Sequence, residues 1–158
     1  MKHSLHSLAE RAGLLKLYLE NKERFDTAPG SKRKHQAWRG GYADHLSDVV
    51  EIGTRMHRTL SPPIDLEDFV LVTFLHDLDK VFTYTEPCLI IQDKFEFILD
   101  TAAAYGVSLT YPQMNALRYA HGEGGAHNPE YRIINELGAF LHAADILSAR
   151  VFHSDLLR

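Results

Sequence analysis

Apolar residues recur along this chain at three- and four-residue intervals, while strand-like alternation is nearly absent. Leu5, Leu8, Ala12, Leu15 and Leu19 mark one side of a first helix within residues 5–25. Residues 27–34 then read as a loop, by their Pro-Gly punctuation. The glycine pair Gly40-Gly41 makes a tight entry to a second helix, on which His45, Val49, Ile52 and Met56 share a face. Ser61, Pro62 and Pro63 end it, because proline disfavours helical geometry in the residue before it. Asp65 and Asp68 are placed to cap a nearly all-apolar helix running through Leu71, Val72, Thr73, Phe74 and Leu75 into His76 and Asp77. Another helix occupies residues 91–105 and stops at Gly106 in a C-cap role; Thr110 caps the next, which leads to His121. Residues 121–128 form a glycine-rich loop, and Asn128-Pro129 starts the last helix, with Leu137, Leu141, Asp145, Ser148 and Phe152 as its stripe. The pattern predicts an all-α fold, a bundle of about six or seven helices.

Composition narrows the class without naming a chemistry. The 158 residues fit a single domain spanning 1–158 with a sizeable core. A formal net charge of −4 argues against an extended nucleic-acid surface, which relies on a basic footprint. Cys88 is the single cysteine, so an intrachain disulfide framework and a cysteine-based zinc knuckle are excluded, and a reducing compartment fits. No apolar run approaches the ~20 residues of a membrane span, and the first residues carry charge where a signal peptide needs its apolar stretch. A cytoplasmic protein is the expectation, with homo-oligomerisation left open.

Three of the predicted helices carry an ionisable group on an inward face. Burying an unpaired carboxylate costs several kcal/mol, so Asp77 needs a cation or strong donors inside its apolar helix. An isolated His-Asp pair reads as a bridge between buried helices. With His45 on one further inward face and Asp145 on another, a shared metal ion is the better reading. Imidazole nitrogen and carboxylate oxygen together suit manganese, cobalt, nickel, iron or zinc.

The order His45, His76-Asp77, Asp145 resembles that of the HD-domain metal-dependent phosphohydrolase superfamily. Three local contexts carry the likeness: Arg39-Gly-Gly-Tyr-Ala-Asp-His45, Leu75-His-Asp-Leu-Asp-Lys80 and Leu141-His-Ala-Ala-Asp-Ile-Leu-Ser-Ala-Arg150. The first and last are similar to segments of small stand-alone HD proteins and of HD-type exoribonucleases, and the likeness spans about residues 35–152. It implies a helical fold and a metal held by His45, His76, Asp77 and Asp145. It leaves the substrate open among nucleotidases, triphosphohydrolases, phosphodiesterases, exonucleases and a few oxygenases. Asp79 departs from the glycine most common at that position in the superfamily.

The remaining candidates surround this set. Lys80, one turn after His76, is expected to reach a metal-held phosphate, and Asp79 either to orient water or Lys80 or to face solvent. Residues 32–39 are the basic cluster; Arg39 there suits a forked phosphate contact and Trp38 a stacked base or a packing role. His121 is expected to act as general acid or phosphate-binding group, with Glu123 sharing that work. One divalent transition metal is expected. A second is conceivable if His121 and His142 are ligands, although His142 lies close to Asp145 and reads as a supporting or packing residue. His3, His6, His35, His57, His127 and His153 belong to no constellation and are expected on the surface. Hydrolysis of a small phosphate ester, most of all a nucleotide, is the expected function. The rivals are deoxynucleoside triphosphate hydrolysis, and a silent HD fold that binds a nucleotide or protein.

Overall fold

A computed structural model describes residues 2–86 and 88–152, with side chains from residue 10 onward. These residues form eight α-helical segments and no strand: α1 (Lys2–Glu20), α2 (Lys22–Thr27), α3 (Gly41–Leu60), α4 (Leu66–Leu75), α5 (Leu78–Thr83), α6 (Lys94–Ala104), α7 (Tyr111–Arg118) and α8 (Glu136–Ile146). A short 3₁₀ turn (Gly124–Ala126) and a π-helical end (Leu147–Phe152) complete the fold. Only Asn21 separates α1 from α2, and only His76 and Asp77 separate α4 from α5, so the segments make six or seven helical runs, as the pattern predicts.

Local chemistry sets most of the helix ends. Gly40 takes a left-handed φ of 81°, and at Gly41 a Cβ would lie 1.9 Å from the Gln36 carbonyl oxygen, so the entry to α3 admits only glycine. Asp65 caps α4 by accepting from the Glu67 amide at 2.7 Å; Asp68 instead accepts from Gln113 Nε2 at 2.7 Å and ties α4 to α7. Asp93 caps α6, which ends as the Gly106 and Val107 amides turn back to Ala103 and Ala102. Thr110 and Gln113 form a capping box on α7.

Three expectations about helix faces and ends need correction. The last helix starts after Asn135, whose Oδ1 accepts from the Gly138 amide, not at Asn128-Pro129. The intervening segment sends its Ile133 and Ile134 amides to Glu123 Oε1, which removes the donors a helix there would use. On α1 the inward face holds Gly13 and Leu17 with Leu14 and Tyr18, whereas Leu15 and Leu19 are exposed. Gly13 decides this phase, since its site abuts the Tyr105 carbonyl and Val107 so closely that no larger residue fits. The side chains of His3, Leu5, His6 and Leu8, and the whole of His153, lie outside the described residues. Phe152 is exposed because the chain widens into π geometry after Ile146, which rotates it off the face of Asp145.

The core is gathered where α3, α4 and α8 pack on one another, with α7 against α8. Val49, Phe69, Val72, Leu75, Leu141 and Ala144 are fully enclosed there. At the α3–α4 crossing the ring of Phe69 occupies the space beside Gly53, where a Cβ would come within 2.1 Å of it. No described helix is long and apolar enough to cross a membrane.

Candidate metal centre

His45 comes from α3, Asp145 from α8, and His76 and Asp77 from the break between α4 and α5. The break is a departure from the continuous helix that the apolar pattern suggests. His76 still donates its amide to Val72 O, but Asp77 adopts φ −121° and ψ 20° before α5 begins. Leaving helical geometry brings the Asp77 carboxylate back toward its neighbour, with Oδ2 3.3 Å from His76 Nε2.

All four side chains converge in the interior. His45 Nε2 lies 3.1 Å from Asp145 Oδ1 and 3.9 Å from Asp77 Oδ2, and His76 Nε2 lies 4.0 Å from Asp145 Oδ1. One donor atom from each of His45, His76 and Asp145 falls within 4.8 Å of the others, as does one from each of His76, Asp77 and His121. His76 Nδ1–H donates to the Thr73 carbonyl at 2.7 Å. A carbonyl can only accept, so the neutral ring keeps its lone pair on Nε2. His45 Nδ1 is held by Ser148 Oγ at 3.1 Å. His45 Nε2, His76 Nε2 and Asp77 Oδ1 are all buried and lack a hydrogen-bond partner. Buried polar atoms are nearly always paired, and an imidazole whose far nitrogen is held by a hydrogen bond is the usual form of a histidine ligand. The set of two imidazoles and two carboxylates therefore fits a divalent ion, and these four residues form a possible metal-binding group.

The charges are strongly coupled. Burial works against the anion of Asp77, yet His76, His121 and Lys80 together hold its carboxyl well below the usual range. Burial likewise opposes the cation of His76, but the Asp77 and Asp145 carboxylates outweigh it and raise its pKa. Burial resists the charge on Asp145 too, and His45 and His76 bring its pKa down.

The other candidates divide into those that reach the centre and those that do not. Lys80 is mostly buried, and its Nζ contacts Asp77 Oδ2. His121 places Nε2 3.4 Å from Asp77 Oδ1 while most of its ring stays exposed. His142 donates from Nδ1 to the Ala120 carbonyl at 2.9 Å, beside Gly122, and so supports the loop carrying His121. Asp79 is buried rather than solvent-facing, and it pairs with Lys94 Nζ at 2.9 Å. Glu123 holds His127 at 2.9 Å as well as the Ile133 and Ile134 amides, so its carboxylate braces the loop that follows His121. Trp38 donates from Nε1 to Asp44 Oδ2 at 2.7 Å, and Arg39 is exposed on the turn before α3.

Two histidines treated as surface groups are partly enclosed. His57 binds the Ile64 carbonyl at 3.1 Å and meets the Phe140 ring edge-on. His35 stands against His45 with ring centroids 5.0 Å apart, and burial lowers its pKa. Beside it, Gln36 is completely buried and bonded to Asp48 and Ser148. The signal for His35 was its place within the basic cluster, five residues before the Gly-Gly turn; only the fold brings it onto His45.

No family model, curated protein or solved structure matches the chain. The chemistry of the centre therefore carries the functional argument.

Proposed function

We propose that the protein is an HD-type, metal-dependent phosphohydrolase whose substrate is a small phosphate ester, most of all a nucleotide. The observation that carries this reading is the convergence of the unpartnered His45 Nε2, His76 Nε2 and Asp77 Oδ1 with Asp145, beside the cationic Lys80. A phosphate ester is the ligand class such a site suits: an anion whose oxygens can meet a divalent ion and an ammonium together.

When bound, a divalent ion supplies Lewis acidity that makes water nucleophilic at neutral pH and polarises a phosphoryl oxygen. His45, His76, Asp77 and Asp145 hold it. Thr73 O and Ser148 Oγ fix the two rings in place. Lys80 Nζ, restrained by Asp77, offers a charge-assisted hydrogen bond to the phosphate. His121 is the exposed member of the cluster, so its ring meets the arriving ester and gives a proton to the departing alkoxide. Gly122 and Gly124, both with positive φ, allow the loop behind His121 to adjust around the substrate. The test is a screen of phosphate esters and nucleotides with manganese, cobalt or nickel beside a chelated control. Metal-dependent phosphate release supports the reading, and stable binding of nucleotides with no release under any metal would replace it with a binding role.

A further inference from the structure

Gln36 has three features that its place in a loop does not require. Its backbone is left-handed, with φ 42°, in a residue that is not glycine. Its side chain is fully buried. Its amide makes three hydrogen bonds, all to polar side chains: Nε2 to Asp48 Oδ2 at 3.0 Å, Nε2 to Ser148 Oγ at 3.2 Å, and Oε1 to His35 Nδ1 at 2.8 Å. Strained backbone held by dense hydrogen bonding collects at working sites. Gly30 and Gly41 close around this residue, and its carbonyl accepts from the Gly30 amide.

The network has a direction. Ionised Asp48 only accepts, so the amide nitrogen of Gln36 must face it, and the oxygen must face His35. That oxygen only accepts, so His35 carries its proton on Nδ1 and keeps the Nε2 lone pair. On the other arm, Gln36 donates to Ser148 Oγ and so holds that hydroxyl 3.1 Å from His45 Nδ1. His45 is thereby fixed with Nε2 facing Asp145 Oδ1 at 3.1 Å.

We propose that Gln36 is a positioning residue for this centre: oriented by Asp48, it holds His45 in place through Ser148 and presents His35 beside it as a hydrogen-bond acceptor. The ligand group suited to that acceptor is a hydroxyl or a protonated phosphate oxygen. The inference needs the histidine cluster but not the hydrolytic reaction, so its test is made on the metal-free protein.

Long-range proton–nitrogen NMR of the imidazoles, at a pH where His35 is neutral, should find His35 protonated on Nδ1. Asp48→Asn supplies an amide that can donate as well as accept, which frees Gln36 to turn over; His35 should then shift toward the Nε2-protonated form. Gln36→Met removes both arms and should leave His35 as a tautomer mixture. It should also weaken cobalt binding by about 10- to 100-fold, the range for losing a supporting hydrogen bond to a metal ligand. Wild-type His35 protonated on Nε2, or His35 nitrogen signals unchanged in Asp48→Asn, overturns the proposal. Should Gln36→Met fail to fold, the wild-type and Asp48→Asn spectra still decide it.

Discussion

Loading the centre with a divalent ion should raise the melting temperature, and His76→Ala should abolish that rise. Without an ion, His45 Nε2, His76 Nε2 and Asp77 Oδ1 are desolvated and make no hydrogen bond, only charge contacts with Asp145, Asp77 and His121 at 3.1, 3.3 and 3.4 Å. Such an atom left wholly unsatisfied costs ~1–3 kcal/mol, so satisfying all three recovers at most about 3–9 kcal/mol before any cost of binding. Mass action sets the measurable part: free ion at about 100 times Kd stabilises by about 2.7 kcal/mol. For a chain of 158 residues, each kcal/mol moves Tm by about 2–4 °C, giving an expected rise of about 5–11 °C. The assay is thermal unfolding of chelator-stripped protein, with and without manganese, cobalt, nickel or zinc, alongside metal analysis. His76→Ala also opens a cavity, so each variant is compared with its own stripped form. An equal rise in His76→Ala, or none in the wild type with any of the ions, would refute the assignment of this cluster as a metal centre.

Other outcomes follow from the same geometry. Lys80→Ala should keep its metal while turnover of a phosphate substrate falls ~10-fold or more, the scale of one charge-assisted hydrogen bond; unchanged kinetics would remove Lys80 from the substrate site. His121→Ala should lower kcat by ~10²–10⁴-fold without loss of the ion; if metal analysis shows an ion lost, His121 is a ligand. The raised pKa of His76 stabilises the metal-free fold below its unfolded value and ceases to help as pH rises through the folded one, whereas the ion needs the neutral ring. The metal-induced rise in Tm should therefore grow as pH increases through that range, and a rise that is flat with pH contradicts it. Leu75→Ala, at a fully enclosed site beside the ligand turn, should cost ~2–5 kcal/mol in denaturant unfolding.

Helix content and most boundaries were legible because they rest on local rules. Gly40-Gly41, Ser61 before two prolines, Asp65, Thr110 and Gly106 each act within a few residues of themselves. So was the inward set His45, His76, Asp77 and Asp145, since periodicity reports which face is buried. The long-range exchanges were not legible. Glu123 takes the amides of residues ten and eleven positions away, and this delays α8 to Asn135. Asp79 finds Lys94 across a loop, and His35 meets His45 through a left-handed Gln36 that no propensity favours. The face of α1 was misread because apolar residues lie on more than one side, and close backbone approach at Gly13, not leucine count, selects between them.

The Gly53–Phe69 crossing gives this centre a dependence on a residue with no chemistry of its own. α3 and α4 run antiparallel, so His45 and His76 meet about two turns, roughly 12 Å, from the Gly53–Phe69 contact. A side chain at 53 would act as a wedge, because its first carbon would already sit 2.1 Å from the Phe69 ring. Prying the helices apart there lengthens the gap between the two imidazoles, and sites of this kind tolerate only ~0.5 Å of such error. A chain that preserved all four of His45, His76, Asp77 and Asp145 could thus lose their convergence through a single added methyl group, which makes position 53 as informative as those four when judging whether a similar sequence keeps the cluster.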